Sequence, residues 1–286
     1  MKYDVGQMLE HYNISLDHAY ELRSELYFGA LDRVAEMVRA NPKRALHVRM
    51  GITKKYLVIE NLKHGGTELA GELLVEAGQL AVGFFQNLMA DEQPLTIRFR
   101  RGDLETVGKN SRSDKGVNDW CKAFWLALIN RDSDGLAILD QVGLDIFLDN
   151  NGGPDTAFKL TLSNFYKALA KAEPNLTGKM QATLETLETE GCRAYDVQYE
   201  GQILLPSLAV LAAVLNEEGE ARYNELLQSA LEQHQAFWQA WSANDPDSDG
   251  LLSLPLTAMA SVAYDRAGYR VTEASDFVPN WMVEGQ

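Results

Sequence analysis

The sequence predicts an all-α fold of about nine or ten antiparallel-packed helices, with one short β segment near residues 95–100. Three observations carry this. Apolar residues recur at three- and four-residue spacing along most of the chain. The polar connections between those periodic stretches are short, which favours antiparallel neighbours. A single stretch, "LTIRFR" at 95–100, alternates apolar and polar residues instead.

Taken in order, residues 15–40 read as one helix opening at Ser15, with Tyr20, Tyr27, Leu31, Val34 and Val38 on its apolar face. Pro42 suits the first turn of a second helix that ends near "KHGG". A third spans 67–90 and places Leu69, Leu73, Ala77, Leu80, Phe84 and Leu88 together. In 95–100, Leu95, Ile97 and Phe99 alternate with Thr96, Arg98 and Arg100, as on a half-exposed strand, and 101–116 reads as polar loop. "VNDWCKAFWLALIN" is apolar almost all round and reads as the central buried helix, with Asn118 as a candidate cap. Further helices fall at 133–142, 155–172, 176–190, 204–217, 220–242 and 251–267, with Gly191 and Gly268 where C′ glycines belong. "CRAYDVQYEG" reads as a small extended segment. The whole, 1–286, reads as a single helical domain, with a candidate subdivision into helices at 1–94 and a helical body at 115–286.

Composition narrows the function classes. No apolar stretch at the N-terminus resembles a signal peptide, and two cysteines without metal spacing fit a reducing, cytoplasmic setting. The longest apolar run, 203–215, is too short to span a bilayer and carries Pro206, so it reads as a core helix; no membrane partner is expected. Net charge is −15, and residues 173–286 hold 5 Lys/Arg against 18 Asp/Glu, a balance of −13. An acidic half repels phosphates and attracts basic partners, so no nucleic-acid partner is expected. The most basic stretch, with Arg98, Arg100, Arg101, Lys109, Arg112 and Lys115, could hold a phosphate, but pairing with nearby acids is the commoner fate of such residues.

Two stretches begin like calcium loops. "DPDSDG" places Asp245, Asp247 and Asp249 before Gly250, yet the twelfth position is Leu256, where a chelating Glu is needed. "DSDG" at Asp132 reaches Gly143 at its twelfth position. Both read as polar turns whose carboxylates cap the next helix, and no metal or other cofactor is expected. There is no G-x-S-x-G, P-loop, G-x-G-x-x-G or H-E-x-x-H motif. The five histidines are scattered, with His234 read as a helix-surface residue, and Cys121 sits among large apolar residues that would keep its thiol inert. No catalytic residue is assigned, and the chain reads as a binding protein rather than an enzyme.

Three groups of residues, in order, carry a family resemblance: Trp120, Ala123, Ala127, Arg131 and Asp132; "LSLPLTAMASVAYDRAGY" from Leu252 to Tyr269; and "ASDFVPNWMV" from Ala274 to Val283. The chain resembles the immunity protein 49 family of bacterial polymorphic toxin systems over roughly residues 10–283. The specificity lies in the closing forty or so. One departure is Phe277, which stands where the family has Tyr and so lacks the hydroxyl. The resemblance implies a helical protein that protects its producing cell by binding a cognate toxin domain, and it brings no catalytic residues. The matching residues Trp120, Arg131, Asp132, Pro255, Asp265, Arg266, Ser275, Asp276 and Pro279 all have structural readings as core, caps and turns.

On this reading the partner is a cognate toxin domain, a nuclease or another toxin with a basic surface. Carboxylates would stand where substrate phosphates bind. The candidate contacts are Glu217, Glu218 and Glu220 in the "NEEGE" turn, and Asp245, Asp247 and Asp249. They lie at opposite ends of the helix at 220–242, so both sets cannot be central to one small interface. Paired apolar helices are compatible with a homodimer. Two other classes stay open: a helical scaffold that docks peptides, which would need a groove, and a hydrolase that reverses a toxin's modification, which would need converging reactive groups in a pocket.

Overall fold

Pro42 opens a helix and Gly268 closes one, each for a backbone reason. Proline has no N–H to leave unpaired in a first turn, and Gly268 adopts the left-handed conformation (φ 69°) that ends helix Leu254–Ala267. The computed structural model describes residues 15–90, 92–108, 116–143, 145–148, 155–188, 192–241, 248–273 and 275–285. In chain order its elements are α1 (Leu16–Gly29), a 3₁₀ turn (Leu31–Arg33), α2 (Val34–Ala40), α3 (Pro42–His64), α4 (Glu68–Met89), β1 (Pro94–Ile97), β2 (Leu104–Val107), α5 (Val117–Ile129), α6 (Ser133–Asp140), α7 (Asp145–Leu148), α8 (Ala157–Ala170) and α9 (Leu176–Leu184). There follow α10 (Ala194–Tyr199), a π-helical turn (Glu200–Leu204), α11 (Leu205–Leu215), α12 (Glu220–Trp241), α13 (Ser248–Leu251), α14 (Leu254–Ala267) and α15 (Asn280–Glu284). Among the described residues the fold is mostly helical, as the periodicity predicts, and the expected short β segment is one arm of an antiparallel hairpin.

These elements pack as two compact units, each discontinuous in sequence. The larger holds residues 21–57 and 68–188. Its centre is α5, where Trp120, Cys121, Phe124, Trp125 and Leu126 are all buried. Phe124 stacks between Trp120 and Tyr166 of α8, at centroid distances of 5.2 and 5.1 Å. The N-cap of α5 is Gly116, not Asn118, which lies inside the helix; Asp155 reaches over from before α8 to accept from Val117 N–H at 3.0 Å. Burial raises the Cys121 thiol pKa far above its ordinary value, so it carries no thiolate at neutral pH.

The hairpin pairs Ile97 with Leu104 and Thr96 with Glu105. Residues 104–107 are therefore a strand within the stretch expected as polar loop. Ile97 lies on α4 at Gly83, where a Cβ would come within 2.4 Å of its Cγ2, so only glycine lets the hairpin approach this closely. The long helix expected over 15–40 is interrupted at Leu31–Arg33, just after Gly29, where the chain tightens into a 3₁₀ turn and restarts.

The smaller unit holds residues up to 20, 58–67 and 189–286 within its bounds. Its core is α11, α12 and α14. The segment read as extended, "CRAYDVQYEG", is instead helical: α10 runs through the π turn into α11. Tyr195 and Tyr199, one turn apart, stack on each other and set their edges against Phe237. That packing overrides the strand preference of the aromatics. The continuous helix Ala194–Leu215 is long and apolar enough to cross a membrane by length and composition, with mean hydropathy 1.3, but 61% of that window is buried within the fold, as in a core helix. The C-terminal stretch is held by Ser253 N–H donating to Phe277 C=O (2.9 Å) and Trp281 Nε1–H donating to Asn61 Oδ1 (2.7 Å).

Candidate functional site

Trp120 Nε1–H donates to Leu139 C=O at 3.2 Å. Arg131 takes a left-handed backbone (φ 53°) at the end of α5 and donates to Ile129 C=O at 2.7 Å. Asp132 Oδ1 accepts from Gly135 N–H at 3.0 Å and caps α6, so this "DSDG" is a helix-capping turn. Pro255 sits in the first turn of α14, Asp265 and Arg266 in its last, exposed. Ser275 Oγ accepts from Phe277 N–H in the turn that includes Asp276, and buried Pro279 caps α15.

The basic patch is spent on internal pairs where it is described. Arg98 meets Asp132 (2.6 Å) and Asp134 (3.3 Å), Arg100 pairs with Glu72, and Arg101 reaches Glu76 and the Tyr27 hydroxyl. Lys109, Arg112 and Lys115 lie outside the described residues. Glu76 is the hub of a buried network. Its two oxygens accept from Arg49 (3.0 and 3.2 Å), Thr53 (2.9 Å), Tyr27 (2.8 Å) and Arg101 (3.4 Å). Every lone-pair direction of the carboxylate is used, so the cluster is a structural tie between α1, α3, α4 and the hairpin.

His234 is not on a helix surface. It is buried in α12, its ring edge-on to Phe277 at 5.3 Å, and its Nε2 bonds Gly250 C=O at 3.2 Å. A carbonyl only accepts, so the proton is on Nε2. Burial pulls the imidazole pKa down to about 4, which leaves it neutral at neutral pH. The sequence carried the signal: Leu227, Ala230, Leu231, His234, Phe237 and Trp238 share one face by helical spacing.

Of the second acidic set only Asp249 can be placed, and it lies apart from the Glu217–Glu220 turn. Asp245 and Asp247 lie outside the described residues. Asp249 is in α13, whose Gly250 packs on Trp238. Glu220 begins α12, and the fourteen residues from there to His234 span about 21 Å of helix. Among the described residues, no three potential ligands cluster as a metal site would require.

At the Glu220 end the acids border a cleft. Glu217, Glu218 and Glu220 are all exposed. Glu217 takes a left-handed backbone (φ 56°) after α11, where Glu218 N–H bonds back to Ala213 C=O. Glycine is the usual residue in that position, and any other is strained there. Next to this turn is an open cleft of about 500 Å³. One wall is α12 with Glu220, Asn224, Glu225 and Leu227; the other is the segment with Val271 and Glu273. Three carboxylates and no Lys, Arg or His line it. Glu225 is paired with exposed Arg222 (3.1 Å), a surface contact of little strength. Sequence reasoning found Glu220 but missed Glu225, Asn224, Val271 and Glu273, because the second wall is brought in by tertiary packing some fifty residues downstream.

Compared with known proteins, the chain matches the family model of Immunity protein 49 over residues 25–282. No curated protein and no solved structure matches it. The matched span takes in both packed units, the acidic turn and the cleft beside it. The chain belongs to the immunity protein 49 family.

Proposed function

We propose that the protein neutralises its cognate toxin by binding and occluding the toxin domain, without chemistry of its own, in the cytoplasm of the producing cell. The observation that carries this reading is the cleft beside Glu217, Glu218 and Glu220, lined by three carboxylates together with Leu227, Leu231 and Val271. Such a surface suits a toxin with a basic groove, a nuclease among them. Carboxylates occupy the space a substrate phosphate would take, and the field they share speeds the encounter. Asp249 is left out of this contact, since α12 separates it from the acidic turn.

The strained backbone at Glu217 supports the same reading. A residue held against its preferred conformation at an exposed turn is the kind of local cost that binding surfaces carry. The experiment is co-expression: cells producing the toxin domain from the neighbouring reading frame survive with the intact chain. Cells making a Glu217→Lys/Glu218→Lys/Glu273→Lys chain, folded but charge-reversed, lose protection. Survival undiminished by the triple reversal would refute the acidic contact.

A further inference from the structure

The cleft holds a feature beyond its charge. Two α12 side chains one turn apart hold the segment 270–272 by one edge. Glu220 Oε1 accepts from Arg270 N–H (2.7 Å), Asn224 Nδ2–H donates to Arg270 C=O (3.0 Å), and Asn224 Oδ1 accepts from Thr272 N–H (3.0 Å). One amide can bond the C=O of residue 270 and the N–H of residue 272 together only if residue 271 is extended. In an extended chain these two groups point to one side, and the N–H and C=O of the residue between point to the other. The Asn224 amide thus stands in for a peptide of a neighbouring parallel strand. It turns the N–H and C=O of Val271 away from α12.

Among the described residues, no hydrogen bond involves either group of Val271. The side chain of Val271 lines the cleft, and Glu273 follows at the period-two position, where a strand would present it on the same face.

We propose that Val271 is a strand-docking edge: an extended segment of the toxin domain, carrying Lys or Arg, adds to residues 270–273 by backbone pairing on the edge that faces away from α12. The paired backbone supplies the attachment, Val271 packs an apolar side chain of the added strand, and Glu273, at the period-two position on the same face, takes a cationic one. Charge complementarity selects the occupant. An acidic segment would be repelled by Glu273 and by the field of Glu220 and Glu225 behind it, and a purely apolar one would leave Glu273 desolvated without a partner. The inference rests on the toxin-binding reading and names where and how that binding is made.

The test uses the full chain and the purified, catalytically inactivated toxin domain from the neighbouring reading frame. Amide hydrogen exchange is read at Val271 with and without the toxin domain, and affinity is compared for the intact chain and for Val271→Pro. Proline removes the N–H yet is compatible with an extended backbone, and it leaves the Asn224 and Glu220 bonds in place. The expected results are at least tenfold slower exchange at Val271 in the complex and about tenfold weaker binding by Val271→Pro. An unchanged melting temperature shows that the variant is folded. Should Val271→Pro unfold the chain, exchange at Val271 in the intact protein decides alone. Tight binding with Val271 exchange unchanged overturns strand docking and leaves the toxin-binding reading standing. No binding by the intact chain overturns both.

Discussion

Removing the Glu76 carboxylate tests the packing account most severely. Its side chain and that of Arg49 are 1% and 3% exposed, and they meet at 3.0 Å. Glu76→Ala deletes the acceptor of Arg49, Thr53 and Tyr27 at once and leaves a guanidinium in the interior without its counter-ion. Breaking a buried pair from one side costs about 3–5 kcal/mol. With typical domain stabilities of about 5–15 kcal/mol, that is a large share of the whole. Replacing both partners by apolar residues, Glu76→Leu with Arg49→Met, removes the stranded charge together with its partner. The double variant is expected to be less damaged than the sum of its singles, because the desolvation of two ions is no longer suffered, and its remaining cost is that of the Tyr27 and Thr53 hydroxyls that lose their acceptor. Urea unfolding of the parent, both single variants and the double variant forms the cycle. A Glu76→Ala cost under about 1 kcal/mol, or a double variant as damaged as the sum of its singles, would refute the reasoning.

The remaining predictions concern single positions. His234 has a folded-state pKa of about 4 against an ordinary value of 6.5, so the unfolded chain binds more protons between those pH values. Its contribution is intact above pH 6.5 and is lost as pH falls through about 4, roughly 3 kcal/mol over the window by linkage; His234→Gln is expected to flatten that part of the urea-stability profile, and an unchanged slope would show that the ring is not buried neutral. Gly268→Ala meets no atom within 4 Å, so its expected cost of about 1 kcal/mol is backbone strain alone, read as a lowered thermal midpoint. Glu217→Gly relieves the left-handed strain and is expected to gain up to about 1 kcal/mol in stability while slowing association with the toxin domain in stopped-flow measurements; a destabilised variant would contradict the strain, and an unchanged rate would remove Glu217 from the encounter.

The helices were legible where one face is apolar over several turns. α4 is the clearest, with Leu73, Ala77, Leu80, Ala81, Phe84 and Leu88 buried as their spacing predicts. β2 was not legible. Its only buried residue is Leu104, and Glu105 and Thr106 are readable as strand only once β1 lies opposite them. The aromatics of α10 misled for the opposite reason: Tyr195 and Tyr199 suit a strand taken alone, and only Phe237 explains why they sit on a helix. At the site, the acids of the 217–220 turn stood out in the sequence. The edge at Val271 did not, because it exists only by virtue of the Asn224 amide across the cleft, and a side-chain clamp between residues 46 and 48 positions apart leaves no local pattern.

Neutralisation by stoichiometric binding and neutralisation by turnover differ in their dose dependence. Titrating a fixed amount of active toxin domain with the purified chain, at concentrations well above the dissociation constant, measures it directly. Stoichiometric occlusion gives a linear fall in toxin activity that reaches its floor at one chain per toxin domain, and recovery of active toxin when the complex is dissociated. Loss of activity at a small fraction of that ratio, growing with time and persisting after the chain is removed, would mean that the chain acts by turnover and would contradict occlusion.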